Sequence, residues 1–187
     1  MKEPFKKIKS GENVVWITQP KEIEKILKRK NIALEIAKGK INDSGGKIEP
    51  AIQTAEAFGR GLFQEYIRKH TRNWTVDQWV KPVVENIFNP MGTAATFTEI
   101  SEDKAKSLIF RYPTDDKESE DPYLSSLFTY GFLRGVFLSA FPNGELIMNS
   151  SMADGAQMDE FVFKSNQIYD NQSENEEIKK SKMIKEH

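Results

Sequence analysis

The chain reads as an α+β fold: helices packed on one face of a small antiparallel sheet, with an N-terminal strand-helix appendage. Three observations predict it. Two stretches between residues 49 and 88 repeat apolar residues at helical spacing, two pairs of short alternating segments are each joined by a polar turn, and a long apolar run separates those pairs. With 187 residues the prior is one compact domain, and 38% hydrophobic residues, 11% of all residues being aromatic, suffice for a core.

Taken in order, NVVWIT (residues 13–18) reads as a short strand, and Gln19-Pro20 then opens a helix with Pro in its first turn. The basic residues of the following segment are interleaved with Ile, Leu and Ala at helical spacing, as on an amphipathic helix with a solvated face. Gly39 is expected to end this helix. NDSGGK (residues 42–47) is a flexible connector, which divides the chain into a basic strand-helix appendage at 1–41 and a main domain at 49–165.

From Glu49 the series Ile52, Ala55, Phe58, Leu62, Phe63, Tyr66 and Ile67 makes an amphipathic helix, with Gly59 and Gly61 as its small face. Thr75 is placed to N-cap the next helix, which has Asp77 in its first turn and Trp79, Val83, Val84 and Ile87 on one side; Asn89-Pro90 stops it. TFTEI (96–100) and SLIFRY (107–112) form a hairpin, and TDDKESED (114–121) is a charged surface loop. GELIMNS (144–150) and MDEFVFK (158–164) form a second hairpin around ADGAQ. Beyond residue 165 the chain is polar, and 166–187 is expected to be a disordered tail.

The apolar run at 123–141 is near the length of a membrane span, yet Arg134 lies within it and Ser125, Ser126 and Thr129 dilute it. A buried core helix is the expectation, with Gly131 and Gly135 on one face permitting tight packing against the sheet. A secretory leader is not expected, since the first twenty residues are broken by Pro and Gly. A cytoplasmic location is the reading.

Cysteine is absent, which excludes disulfides, thiolate chemistry and cysteine-type zinc sites. Residues 1–40 hold eleven Lys or Arg against five Asp or Glu, a net of +6, so the remainder carries −7 of the total of −1. That asymmetry favours contact between the two parts or with an acidic partner. Nucleic acid is not expected as a partner, because no stacking aromatic sits among the basic residues. Metals and cofactors are likewise not expected: no ligand spacing, phosphate loop or nucleophile elbow occurs. His70, at the polar end of a helix beside Arg68, Lys69 and Arg72, reads as a C-terminal residue favoured by the helix dipole. Asp154, Asp159 and Glu160 are close in sequence, but strand alternation sends neighbours to opposite faces and a solvated turn is the default.

Arg111 and Arg134 are single cations in apolar stretches. Each must reach solvent, pair with a carboxylate, or face a polar point inside a cavity. The sharper reading has one of them anchoring the anionic head of a ligand whose body rests on Phe128, Phe132 or Trp79. Twelve Phe and three Trp supply either a packed interior or the lining for such a ligand.

The order helix, helix, hairpin, long apolar helix, hairpin over residues 49–164 resembles the ligand-binding fold shared by 4-vinyl reductase (hydrocarbon-binding) domains, L-2-amino-thiazoline-4-carboxylate hydrolase-like proteins and TRAPP trafficking subunits. In the first two groups the last hairpin carries a Gly-Asp pair, a Cys four residues after the Gly and a Phe two beyond it. Here Gly155, Asp159 and Phe161 take the Gly, Cys and Phe positions, Ala156 stands for the Asp, and the earlier Cys of the motif falls near Ser151 or Met152. The resemblance implies the fold and not the thiol chemistry. The expected function is a noncatalytic module that binds or senses a small hydrophobic or amphipathic molecule; a TRAPP-like homodimeric assembly protein and a small-molecule hydrolase are the alternatives.

Overall fold

The computed structural model describes residues 8–10, 13–15, 20–67, 74–91, 94–111 and 122–166. The expectations for residues 16–18, for His70, for the charged loop and for the tail beyond 166 lie outside the described residues. The elements run β1 (Ile8–Ser10), β2 (Asn13–Val15), α1 (Pro20–Asp43), α2 (Glu49–Tyr66), α3 (Val76–Val83), a π-helical turn (Val84–Phe88), α4 (Asn89–Met91), β3 (Ala94–Thr98), β4 (Lys104–Arg111), α5 (Pro122–Leu138), β5 (Glu145–Ser150), a 3-10 turn (Met152–Asp154) and β6 (Asp159–Lys164). β1 and β2 form a small antiparallel hairpin, a strand earlier than the sequence reading placed one.

Helix α1 does not stop at Gly39. A single glycine inside a helix costs about 1 kcal/mol relative to Ala, which the burial of Ala37 and the half-buried Ile41 offsets. The stop comes at Gly45 and Gly46, whose φ values of 68° and 90° turn the chain left-handed while the Gly46 N–H bonds to the Ile41 carbonyl at 2.9 Å. Ile26 and Ala37 of α1 belong to the same apolar cluster as the elements that follow. On the other side of the α1–α2 contact, Arg29 Nη1 donates to Glu65 Oε2 at 2.6 Å and holds that carboxyl below its ordinary range.

Thr75 occupies the N-cap of α3 as expected, and its backbone N–H is met by Gln78 Oε1 at 3.4 Å. Pro82 removes one rung of this helix. A π turn follows, in which the Asn89 N–H reaches the Val84 carbonyl and the Asn86 side-chain amide donates to the Pro82 carbonyl at 2.9 Å. The helical path therefore runs through Asn89-Pro90 to Met91 before the sheet begins.

The sheet is antiparallel in the order β3-β4-β6-β5. Both hairpins of the sequence reading are present, and β6 joins them by pairing with β4 from Lys104↔Lys164 to Ile109↔Asp159. Alternation gives each strand two faces. Phe97, Ala105, Ile109, Leu146, Phe161 and Phe163 turn inward to the apolar cluster, while Lys106, Asn149 and Glu160 turn outward.

Helix α5 lies between α2 and the sheet. The small residues on its α2 side correct one expectation: Gly131 and Gly135 pack against a helix and not against the sheet. A Cβ at Gly131 would lie 2.6 Å from the Ile52 carbonyl oxygen, and one at Gly135 would meet the Glu56 carbonyl; Gly59 faces the Phe132 carbonyl from the other side. Gly61, grouped with Gly59 on the sequence, has open space around it. Among the described residues, no helix is long and apolar enough to cross a membrane.

Candidate functional site

The five residues singled out as ligand contacts fall into separate places. Trp79 is fully buried, and its ring lies 5.1 Å from Phe137, 5.2 Å from Phe163, 6.2 Å from Phe141 and 6.3 Å from Phe97. This is an aromatic layer between α3, the end of α5 and the sheet. Phe128 and Phe132 are buried elsewhere, against Phe58 of α2 at 5.9 and 5.7 Å. Arg134 follows Phe132 by two residues, which on a helix is about 200° of rotation, so the two side chains leave α5 on opposite sides. Arg111 ends β4 opposite Ala94, and its side chain lies outside the described residues. The structure thus unites Phe128 with Phe132 and separates both from Trp79 and Arg134.

Arg134 has a carboxylate partner. Its Nη1 sits 3.4 Å from Glu56 Oε2, while Arg60 Nη2 holds the other oxygen at 3.4 Å. The Glu56 side chain is 11% exposed and the Arg134 side chain 38%, so the pair spans the edge of the α2–α5 contact with the cation reaching toward water. Pairing and reaching solvent, the two plainer readings of this arginine, are both realised.

A different set of polar side chains converges beneath the last hairpin, around the first half of α5. Ser126 Oγ and Ser151 Oγ lie 2.8 Å apart, and Ser151 Oγ accepts the Ala153 N–H at 3.1 Å. Ser126 Oγ also donates to Met148 Sδ at 3.9 Å. The Met152 N–H donates to Asp159 Oδ1, which ties the 3-10 turn to the start of β6. Asp159 is 2% exposed, which corrects the expectation of a solvated turn; its neighbour Glu160 does face outward, as alternation requires. Ser107, on the inner face of β4, is fully buried and its hydroxyl has no hydrogen-bond partner.

Part of this set was visible in the sequence. The hairpin motif marked Ser151 or Met152 and Asp159 as corresponding positions, and the structure joins them. Ser126 appeared only as a polar dilution of an apolar run, and Ser107 as the first residue of a strand. The inward direction of Ser107 depends on the register Phe97↔Ser107↔Phe161↔Met148, and that of Ser126 on how α5 packs against the last hairpin, neither of which local spacing fixes.

Chemically, the two serine hydroxyls bond to each other, to a backbone N–H and to a thioether, and the Asp159 carboxylate accepts the Met152 N–H. Among the described residues, no group of three His, Cys, Asp or Glu is placed to hold a metal ion.

No family profile matches the chain, and no curated protein matches it. Among solved structures it is similar to a trafficking protein particle complex subunit 3 from Naegleria fowleri covalently bound to palmitic acid, at 12% sequence identity and a TM-score of 0.51, over 74% of this chain and 95% of that one. At this identity the likeness concerns the fold. It supports the TRAPP-like part of the expected resemblance, while the 4-vinyl reductase and thiazoline-hydrolase parts rest on the hairpin motif. The chain has a TRAPP-like α+β fold.

Proposed function

We propose that the chain is a noncatalytic module that holds a small hydrophobic or amphipathic molecule. The observation that carries this reading is that Ser126 of the apolar helix α5, Ser151 and Asp159 are buried together around the turn before β6, where Ser126 meets Ser151 at 2.8 Å and Asp159 accepts the Met152 N–H. Packing alone does not ask for these side chains, since burying polar groups costs free energy that their hydrogen bonds only offset, and an alanine incurs no such cost. The palmitic acid carried by the Naegleria subunit supports an apolar ligand for this fold. Because the chain has no cysteine, an acyl ligand would be held without a thioester. The test is to denature the purified protein, extract it and identify small molecules by mass spectrometry, alongside melting with added amphiphiles. A copurifying molecule, or a stabilisation of about 2.7 kcal/mol at a hundredfold excess over Kd, is the expected result. Neither an extractable ligand nor a shift with any amphiphile overturns it.

A second reading, a helix-mediated assembly protein, is favoured by Ile32 and Ile36. They lie four apart on α1 and are 55% and 50% exposed, a pair of apolar side chains on one helix face. Light scattering decides it, since a strict monomer at high concentration removes this reading.

A further inference from the structure

We propose that α1 is a self-pairing surface, on which a second copy of this chain lies antiparallel, with Ile32 packed on Ile36 of the copy and Lys25 set against its Asp43. This rests on the assembly reading above and names the partner and the geometry of that surface.

The order of residues along one stripe of the helix carries the argument. Lys25 and Asp43 are eighteen residues apart, five helical turns, and Ile32 and Ile36 lie between them, each two residues from the midpoint at residue 34. At about 100° of rotation per residue the four side chains leave α1 within about 40° of one another, and all four residues are exposed. The side turned about 120° away does the intramolecular packing, through the buried Ile26, Lys30 and Ala37. The stripe therefore reads cation, Ile, Ile, anion, and reversing it gives its own complement. A two-fold axis across residue 34 brings Ile32 to Ile36 and Lys25 to Asp43, twice each.

Two further features fit a second copy better than a lipid surface. Asp43 is the last residue of α1, where its own helix dipole disfavours an acid and where an anionic headgroup would repel it. A second copy brings a cation to that place. Lys25 lies 3.7 Å from Glu65, but Arg29 holds that carboxyl at 2.6 Å, so the 57% exposed lysine side chain can turn to Asp43 of the copy without leaving Glu65 unpaired. Gly39 lies on the same stripe, and nothing stands within 4 Å of where its Cβ would be. A glycine within a helix weakens it, and no described residue packs on this one. In the paired helices it stands opposite the Lys28–Arg29 turn of the second copy and leaves room for those long stems.

The experiment measures sedimentation equilibrium of the full chain up to about 0.5 mM, since one helix pair buries an area at the weak end of protein interfaces. A monomer–dimer equilibrium is expected. Ile32→Ala and Ile36→Ala replace exposed side chains by a better helix former, so each should keep the melting temperature of the dilute monomer while weakening the dimer about tenfold. Asp43→Asn should weaken it about threefold and blunt its salt dependence. Because the chain has no cysteine, single-cysteine variants report the direction of the helices. Lys25→Cys mixed with Asp43→Cys should cross-link under mild oxidation, and neither should cross-link with itself, its two copies lying about 27 Å apart. A strict monomer at about 0.5 mM overturns the assembly reading and this inference together; binding of that monomer to phosphatidylserine vesicles, lost in the Ile variants, would assign the stripe to lipid. A dimer that survives both Ile variants, or Asp43→Cys cross-linking with itself, leaves assembly standing and overturns the α1 pairing.

Discussion

The two ends of α5 rest on the same sheet and behave differently. Toward its C-terminal end Phe137, with Phe141 just beyond, meets Trp79 and Phe163 in a layer of edge-to-face and tilted rings whose centroids lie 4.7–6.2 Å apart. Toward its N-terminal end Ser126 meets Ser151 and Met148. The first end is what burial of aromatic surface produces, with offset ring geometry adding roughly 0.5–1.5 kcal/mol per pair. The second end buries hydroxyls, each worth only about 1 kcal/mol once bonded and unfavourable when left unpaired. One helix thus carries a mainly aromatic end, in which Trp79 Nε1 is nonetheless buried without a hydrogen-bond partner, and a polar end.

Trp79 offers the hardest test of that division. As part of the aromatic layer, Trp79→Ala should lower the unfolding free energy by about 3–5 kcal/mol, whether or not an amphiphile is present. Chemical denaturation measures it. A loss below about 1 kcal/mol, together with weakened ligand binding, would return Trp79 to the list of ligand contacts and dissolve the distinction between the ends.

Gly135→Ala probes the contact that holds α5 in place for both ends. The added methyl meets the Glu56 carbonyl oxygen, a backbone atom that cannot swing aside, so a loss of about 1–3 kcal/mol is expected, with the aromatic and polar ends affected together. Gly61→Ala is the control. Its Cβ enters open space on the same helix pair, and the better helix propensity should leave stability equal or slightly raised.

Arg134→Met asks whether the flank of α5 belongs to either end. Glu56 would keep Arg60, and Arg134 is partly in water, so the expected loss is about 1 kcal/mol and ligand affinity should not change. Reduced binding of an anionic amphiphile with unchanged stability would instead revive the anchoring role.

How much of this was legible follows from what each signal encodes. The helices and the four sheet strands were readable because periods of 3.6 and 2 are local properties, and the capping position of Thr75 is local as well. Partners are not local. Gly131 and Gly135 marked a close approach, but α5 is apolar on nearly every side, so its sequence does not say which face meets a helix and which meets the sheet. Gly39 was expected to end α1, but the burial of Ala37 and the partial burial of Ile41 carry the helix past it to the Gly45-Gly46 pair. At the site, Asp159 was picked out by motif position yet expected in solvent, because a carboxyl in a turn-flanked strand is ordinarily exposed. Ser107 and Ser126 gave no signal. A lone serine in a strand or helix is common, and only strand register and the helix crossing turn these two inward.

The same strands set up a final comparison, between neighbours on opposite faces of the sheet. Asp159 points inward to the turn, and Glu160 points outward, where the Asn149 amide donates to it at 2.8 Å and Lys106 lies 3.0 Å away. The Asn149 bond first, then Lys106, holds the Glu160 carboxyl below its ordinary value, and Glu160 in turn raises the Lys106 ammonium. A depressed carboxyl contributes stability that is present above the unfolded-state value, about 4.3, and is lost as pH falls through the lower folded value. The raised ammonium contributes stability that is present below its own ordinary value, about 10.4, and is lost as pH rises through the folded one. Glu160→Gln keeps the shape and removes the charge, so its melting temperature should fall slightly below that of the parent at neutral pH and converge with it in strong acid. The effect is the smallest of the set because both groups are near water and salt screens them. Melting curves at a series of pH values, at low and high salt, measure it: a gap that persists undiminished into strong acid means that the outward pair contributes through packing and not through charge.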